Sequence, residues 1–349
     1  MDLKISKRCS AGPTATTSSL FVSKLEHFVD NYKSYGSHSD VQNHGTVTNN
    51  ENEYPLVSLH YGNPTGPTLI IFGGVHGLER IGAQLSLSLL NSFQQRLEWD
   101  QLLHEMLKKI QVVFIPLVNP VGYFETTRCN ANGVDLMRNA PLEAKEKVPF
   151  FLGGQLYSNK LPWYRGLSVQ KETQFVFDVV QAVLQKSNCV ISLDVHSGFG
   201  FKDQLWFPHA NSRVPFANLN EMFMFFELFE KSNPHHIYKI EPQSKVYLTH
   251  GDLWDYCYLN FKRTDQVYIP LTLEMGSWIW VKKNPLQLFS KAGLFNPIKQ
   301  HRLNRTYRRH RPLFDFILHS LYSNQTWANP QLSRTELITE LAMKKYYEK

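Results

Sequence analysis

The chain has 349 residues, of which 42% are hydrophobic and 19% charged, and its 37 basic and 30 acidic side chains give a formal net charge of +7. This composition excludes a disordered chain, and four widely spaced cysteines do not indicate a disulfide framework or a cysteine zinc site. The longest apolar runs, residues 68–75 and 111–118, are far shorter than the roughly 20 residues that span a bilayer. No apolar stretch follows the basic residues at the N-terminus, so we recognise no secretory signal and expect a cytoplasmic location.

Short apolar segments alternate with amphipathic ones after a polar start. Residues 1–50 are predicted to form a polar N-terminal extension with a helix inside Leu20–Tyr35, residues 51–325 one folded domain, and residues 326–349 a C-terminal helical extension. The predicted strands are Thr68–Val75, Gln111–Val118, Cys189–Val195 and Tyr268–Glu274, and the predicted helices include Arg80–Gln95, Val169–Lys186, Phe216–Lys231 and Leu313–Tyr322. Because the strands are almost continuously apolar, we predict an α/β sheet covered by helices on both faces.

Ionisable residues stand where three of these strands end. His76 and Glu79 follow the first strand in the sequence GGVHGLER, His196 ends the third, and Glu274 ends the fourth. Ligands of open α/β sheets bind at the carboxyl ends of strands, so we expect these four side chains to lie close together.

Two histidines and one carboxylate are a common protein ligand set of catalytic zinc. His76, Glu79 and His196 supply that set, and glycines around His76 allow the tight turn that aims both of the first two ligands at one ion. Glu274 lies in an apolar run, where burying a carboxylate that has neither a partner nor a role costs free energy. It is therefore the candidate general base. Each residue alone is weak evidence, but four such residues at three strand ends indicate a hydrolytic site with one Zn²⁺.

The segment from Arg128 to Asn139, RCNANGVDLMRN, completes an ordered set of motifs. HxxE, R-x-N-x-x-G-V-D-L-x-R-N, a strand-terminal His-Ser and a strand-terminal Glu together resemble the zinc metallocarboxypeptidases of the carboxypeptidase A type, over residues 69–276. The resemblance implies an α/β fold with a mixed, mostly parallel twisted sheet. It also implies one zinc ion and hydrolysis of an amide bond beside a free carboxylate.

The resemblance assigns further residues to the site. Arg128 would polarise the scissile carbonyl and stabilise its oxyanion, and Arg138, with Asn139 next to it, would bind the carboxylate of a peptide or peptide-like substrate. Tyr247 is similar to a tyrosine that closes over the substrate. Trp254 would lie near the side-chain specificity pocket.

Two positions depart from the family's familiar pattern. Met137 stands where an asparagine usually precedes the carboxylate-binding arginine, so one hydrogen bond to substrate should be missing. Leu78 replaces an arginine between the first histidine and glutamate, which brings the motif closer to the branch of bacterial cell-wall peptide amidases and N-acyl amino acid deacylases. Removal of C-terminal residues from peptides is therefore one of several activities that the sequence allows.

Four hypotheses follow. The leading one is a zinc metallopeptidase, either a carboxypeptidase or a peptide amidase; a deacylase of N-acyl amino acids and a catalytically silent binding module of the same fold are alternatives. The basic segment 301–311 raises a fourth, an anionic-surface or nucleic-acid binder, although no nucleic-acid module surrounds it and nucleic acid is not the expected partner. The sequence does not predict an oligomeric state.

Overall fold

The computed structural model describes residues 39–50, 52–198, 200–333 and 335–348. The helix predicted inside residues 20–35 lies outside this part. The strands are β1 Ser39–Asn49, β2 Asn52–Gly62, β3 Thr68–Gly73, β4 Gln111–Ile115, β5 Cys189–Gly198, β6 Gln204–Phe207, β7 Lys239–Pro242 and β8 Val267–Gly276. The α-helices are α1 Arg80–Leu97, α2 Gln101–Leu107, α3 Pro120–Glu125, α4 Lys171–Lys186, α5 Leu219–Ser232, α6 Leu253–Phe261, α7 Trp278–Lys283, α8 Gln300–Tyr322, α9 Pro330–Ser333 and α10 Glu336–Tyr346.

All eight strands belong to one mixed sheet with the order β1-β2-β4-β3-β5-β8-β6-β7. The four central strands β4, β3, β5 and β8 are parallel, whereas β1, β2 and β4 pair antiparallel and β6 runs antiparallel to β8. Every residue of β3 is buried, so both faces of the sheet are covered there. The predicted mixed, mostly parallel α/β fold is confirmed.

The first strand lies N-terminal to the predicted domain boundary. Residues 39–49 were assigned to the polar extension that ends at residue 50, but they form β1 at the edge of the sheet. An edge strand has one open side, and most of the side chains of β1 are at least partly exposed, so its sequence is polar and lacks an apolar run. The short strands β6 and β7 were missed because four residues carry too little alternation.

Helix α8 begins at Gln300, thirteen residues before the predicted start at Leu313. The prediction began the helix after Pro312, but the structure accommodates this proline inside α8. Residues 326–348 include α9 and α10 and pack onto the domain: Trp327 and Tyr346 are buried, and the ammonium group of Lys345 contacts two carboxylates of α5. In the described part of the chain, no helix combines the length and apolar character needed to cross a membrane.

The strand order creates a crevice at the carboxyl ends of β3 and β5. From β3 the chain first adds β4 on one side and later β5 on the other, so β3 and β5 flank the point where the winding direction reverses. The turn after β3 is tight: a Cβ on Gly77 would lie 1.9 Å from the carbonyl carbon of Gly122. Only glycine fits at this position.

Candidate active site

Three predicted metal ligands meet in this crevice. His76 lies in the turn after β3, Glu79 precedes the first residue of α1, and His196 is in β5. One ligand atom from each lies within 4.8 Å of the others, and all three residues are buried. Nδ1 of His196 is 3.0 Å from Oε2 of Glu79, which also accepts a 3.0 Å hydrogen bond from the backbone N–H of Ser197. The structure therefore brings together the ligand set predicted from the strand ends.

The geometry of the cluster fits a divalent cation. Nδ1 of His76 is buried and has no hydrogen-bond partner among the described residues, which is costly unless another group binds it. Nδ1 of His196 faces the carboxylate of Glu79, whereas its Nε2 is hydrogen-bonded to Asp194. Two imidazole nitrogens and one carboxylate are a donor set that zinc accepts.

The electrostatics of the ligands depends on their neighbours. Burial alone would raise the pKa of Glu79, but the imidazoles of His76 and His196 and the guanidinium of Arg128 lower this pKa to about 2. Burial and Arg128 hold the pKa of His76 well below its usual value. Burial would also lower the pKa of His196, yet the carboxylates of Asp194 and Glu79 raise it well above the usual value. These directions favour an ionised Glu79 and a neutral His76, whereas His196 favours its protonated form and has to lose a proton before it binds a metal.

Asp194 and Trp254 orient His196. Oδ2 of Asp194 is 2.5 Å from Nε2 of His196 and accepts a 2.9 Å hydrogen bond from Nε1 of Trp254. Trp254 is buried with its ring centroid 4.7 Å from that of Phe72. Its N–H is thus committed to Asp194, and only its ring lines a small neighbouring cavity with Trp206 and other residues. A direct polar contact from Trp254 to substrate does not fit these bonds.

Replacing Asp194 with Asn is expected to weaken zinc binding by about 10- to 100-fold, because a carboxylate behind a ligating imidazole fixes its orientation and raises its basicity. Competition with a chromogenic chelator measures this affinity. Asp178→Asn, on α4, is the control and should bind zinc like the wild type. Unchanged affinity in Asp194→Asn would exclude this supporting role.

Arg128 lies beside the ligand cluster. Its Nη1 is 3.2 Å from Oε1 of Glu79, and its Nε donates to Oδ2 of Asp135 at 2.9 Å. Nη2 forms no hydrogen bond within the described residues, and the side chain is 27% exposed. A fixed, partly accessible cation with a free donor can stabilise negative charge that develops on a bound carbonyl oxygen.

Asp135 is a site residue to which the sequence interpretation gave no role. Besides binding Arg128, it accepts a 3.1 Å hydrogen bond from the backbone N–H of Met137 and so shapes the short 3₁₀ turn Leu136–Arg138. The signal was available, because Asp135 stands inside the motif between the two arginines. Met137 itself is buried in the apolar core and has no hydrogen-bonding group to offer at this position.

Arg138 and Tyr247 lie against each other. Cζ of Arg138 is 5.9 Å from the centroid of the Tyr247 ring, and Nη1 of Arg138 donates to the carbonyl of Met137 at 3.1 Å. The loop after Tyr247 packs tightly onto the arginine, since a Cβ on Gly251 would lie 1.9 Å from the carbonyl oxygen of Arg138. The two residues expected at the substrate site are therefore adjacent.

Asn139 has a different environment from the one predicted. Its amide donates to the carbonyls of Arg165 and Ser168 at 2.7 and 2.9 Å, and its Oδ1 accepts the backbone N–H of Gln170 at 2.8 Å. Both amide hydrogens are used in these bonds. A direct contact of Asn139 with substrate is thus poorly supported, and its side chain instead fixes the loop from 165 to 170.

Glu274 faces the ligand cluster from β8. It pairs with His196 in the register of the two parallel strands, and its Oε2 is buried without a hydrogen-bond partner in the described part of the chain. A Cβ on Gly198 would lie 3.1 Å from this oxygen, so glycine leaves room for the carboxyl group. Burial and the nearby charge of Glu79 raise the pKa of Glu274 to about 8. A cation bound between them would favour the ionised form again.

Comparison with known proteins accounts for this arrangement. The model of the family described as zinc carboxypeptidase matches residues 26–280. The chain belongs to the zinc carboxypeptidase family. The resemblance found in the motifs is thereby confirmed at the level of the family, which is hydrolytic and implies zinc.

Individual members of the zinc carboxypeptidase family are distant relatives. Carboxypeptidase SOL1 of Arabidopsis thaliana is 25% identical over 247 residues, covering 67% of this chain and 46% of that protein. The carboxypeptidase N catalytic chain of Rattus norvegicus is 28% identical over 152 residues, covering 39% of this chain and 32% of that protein. The chain thus spans less than half the length of these relatives.

Solved structures of zinc carboxypeptidases share the fold. Bovine thrombin-activatable fibrinolysis inhibitor, in complex with tick carboxypeptidase inhibitor, has a TM-score of 0.61 at 18% identity and covers 90% of this chain and 98% of its own. Carboxypeptidase A from Helicoverpa armigera has a TM-score of 0.61 at 14% identity, and the match covers 89% of this chain and 72% of that chain. At such identities the likeness concerns architecture alone.

One further residue positions the candidate metal ligands and had no signal in the sequence. The side chain of Asn296 donates to the carbonyl of Leu78 at 2.9 Å and accepts the backbone N–H of Ile81 at 2.8 Å. It thereby braces the turn that carries both His76 and Glu79. Asn296 follows Leu78 by 218 residues, beyond the stretch that the family model matches, so local patterns do not reveal it.

Proposed function

We propose that the chain is a zinc-dependent hydrolase that cleaves an amide bond beside a free carboxylate in a peptide or peptide-like substrate. The observation that carries the proposal is the buried cluster of His76, Glu79 and His196 with the unpartnered Oε2 of Glu274 on the adjacent strand. The cluster fits one zinc ion. Glu274 is the candidate acid and base.

When bound, zinc acts as a Lewis acid toward the scissile carbonyl and makes a water molecule easier to deprotonate. Oε2 of Glu274 has no competing hydrogen bond from any described residue, so it is available to take a proton from the attacking water and later to return it to the leaving amine. Arg128 holds a guanidinium beside Glu79, where it stabilises the oxyanion of the transition state.

Substrate selection is assigned to Arg138 and Tyr247. The planar guanidinium of Arg138 suits a carboxylate, and Tyr247 shields it from water, which strengthens the ion pair. Because Met137 offers no hydrogen bond, the carboxylate depends more heavily on this one arginine. The presence of Arg128, Arg138 and Tyr247 together favours a peptidase over a deacylase.

The domain boundaries are also a proposal. Residues 39–325 contain the whole sheet and all the candidate site residues, so we assign them to one catalytic domain. Residues 326–348 pack on α5 and are best regarded as a helical extension attached to that domain.

A substrate panel tests the proposed function. The zinc-loaded protein should hydrolyse at least one peptide with a free C-terminus or one cell-wall stem peptide, and a chelator should remove this activity until zinc is restored. The same peptides with amidated C-termini serve as matched controls and should not be cleaved. Hydrolysis restricted to N-acetyl or N-succinyl amino acids would instead establish a deacylase, and zinc binding without hydrolysis of any of these compounds would favour the silent module.

A further inference from the structure

The excess positive charge of the chain is confined to one segment. Residues 275–314 contain nine lysines and arginines and no aspartate or glutamate, whereas the rest of the chain has 28 basic and 30 acidic residues. The net charge of +7 therefore comes from these 40 residues, which include α7, the loop after it and the first half of α8. The segment that carries the charge is thus longer than residues 301–311.

Part of this charge serves the fold. Arg302 donates to the carbonyls of Trp280 and Lys283, Arg309 pairs with Asp203 at 2.8 Å, and Arg311 pairs with Asp315. The other six basic residues are exposed and form no ion pair with any described residue: Lys282, Lys283, Lys291, Lys299, Arg305 and Arg308. These six side chains, here called the basic surface, have no acidic counterparts in the same segment.

Large apolar side chains project from the middle of this segment. Residues 285–298, here called the apolar loop, expose Phe289 by 90% and Leu286 by 76%, and Leu288 and Ile298 are also exposed. Lysines precede, interrupt and follow the loop. Exposed leucine and phenylalanine side chains are unfavourable in water. Together with the unpaired lysines beside them, they suit a surface that has an apolar interior and anionic groups on its outside.

The apolar loop has an ordered interior. Gln287 is buried and donates to the carbonyl of Gly293 at 2.7 Å, and a Cβ on Gly293 would clash with the carbonyl oxygen of Gln287. Asn296 and the carbonyl of Phe295 bind the metal-ligand turn and Ser197, respectively. The apolar loop that carries the outward side chains is thus fixed by hydrogen bonds, so less conformational entropy is lost when these side chains bind.

We propose that residues 275–314 dock the protein on the surface of an anionic lipid bilayer, with Leu286 and Phe289 entering the interface and the exposed lysines facing lipid headgroups. Lipid is favoured over nucleic acid because the most exposed side chains of the apolar loop, Leu286 and Phe289, can enter an apolar interface but cannot form hydrogen bonds with base edges. Clusters of four to eight lysines and arginines suit anionic headgroups. The apolar loop abuts the metal-ligand turn, so docking would hold the catalytic crevice close to the bilayer.

Flotation of the full chain with vesicles tests the proposal. Binding to phosphatidylcholine vesicles containing roughly one-quarter phosphatidylglycerol should exceed binding to pure phosphatidylcholine by about tenfold or more and should fall with added salt. Lys282→Glu/Lys283→Glu and Leu286→Ser/Phe289→Ser should each lose most of this binding. Trp99→Ser is the matched control, because Trp99 is 71% exposed next to acidic Glu98 and Asp100, and it should bind like the wild type.

Three outcomes would overturn the proposal: equal binding to both kinds of vesicle, wild-type binding by the charge-reversal variant, or an equal loss in Trp99→Ser. Displacement of the protein from vesicles by a short DNA duplex at low concentration would assign the surface to nucleic acid instead. Hydrolysis of a dissolved peptide should be unchanged in all these variants, so the result is independent of whether the proposed catalytic function is correct.

Discussion

Glu274→Gln is expected to lower kcat by about a thousandfold or more while the protein still binds one zinc ion. The amide keeps the volume of the side chain but cannot take a proton from water, and a positioned general base contributes roughly 10²- to 10⁴-fold. Glu274 is not among the three ligands, and its buried Oε2 has no hydrogen-bond partner among the described residues. Asp194 also has an unpartnered buried oxygen, but its other oxygen is held by His196 and Trp254. Steady-state kinetics and metal analysis on the same preparation measure both quantities.

Glu221→Gln is the matched control for this variant. Glu221 is also a buried carboxyl group, but it lies on α5 and binds Ser333 and Asn218. Its replacement should change stability but leave kcat within a few-fold. Activity that survives in Glu274→Gln with zinc still bound would contradict the assigned mechanism, whereas loss of zinc in this variant would show that Glu274 belongs to the ligand set.

Arg138→Ala is expected to reduce kcat/KM for a substrate with a free carboxylate by about 10²- to 10³-fold. Each hydrogen bond to a charged group contributes roughly 1.5–3 kcal/mol, and the variant would leave the substrate carboxylate facing Met137, which cannot replace them. The effect should depend on the substrate. The wild type should prefer a free acid over the corresponding amide, and Arg138→Ala should lose this preference.

Arg165→Ala separates this role from a general effect of positive charge. Arg165 also lies near the loop at Gly154, where a Cβ would lie 3.0 Å from its side chain and 3.4 Å from that of Arg138, but its guanidinium pairs with Glu143. It should retain the preference for the free acid. An Arg138→Ala enzyme that still discriminates acid from amide would show that another group binds the carboxylate.

The central strands and the clustering of the candidate metal ligands were predictable for one physical reason. Strands covered on both faces are almost wholly apolar, so β3, β5 and β8 stand out in the sequence, and an ionisable residue at their ends is conspicuous. Edge strand β1 lacks that signature because its side chains meet solvent. Its polar sequence therefore did not indicate a strand.

The supporting contacts were harder to predict because they join distant parts of the chain. Asp194 lies two residues before His196, which hinted at a supporting role, but its second partner Trp254 comes 60 residues later. Asn296 contacts the metal-ligand turn across more than 200 residues. Asn139 has the chemistry of a substrate contact, and only its three backbone partners show that it fixes a loop.

The zinc content of the purified chain tests the central assignment most directly. Elemental analysis after dialysis without chelator should find about one zinc per wild-type chain and almost none in His196→Ala, because two remaining ligands bind zinc weakly. Circular dichroism should show that the variant keeps its fold. A folded wild-type protein that takes up no zinc, or a His196→Ala variant that retains a full equivalent, would contradict the assignment of His76, Glu79 and His196 as the metal site.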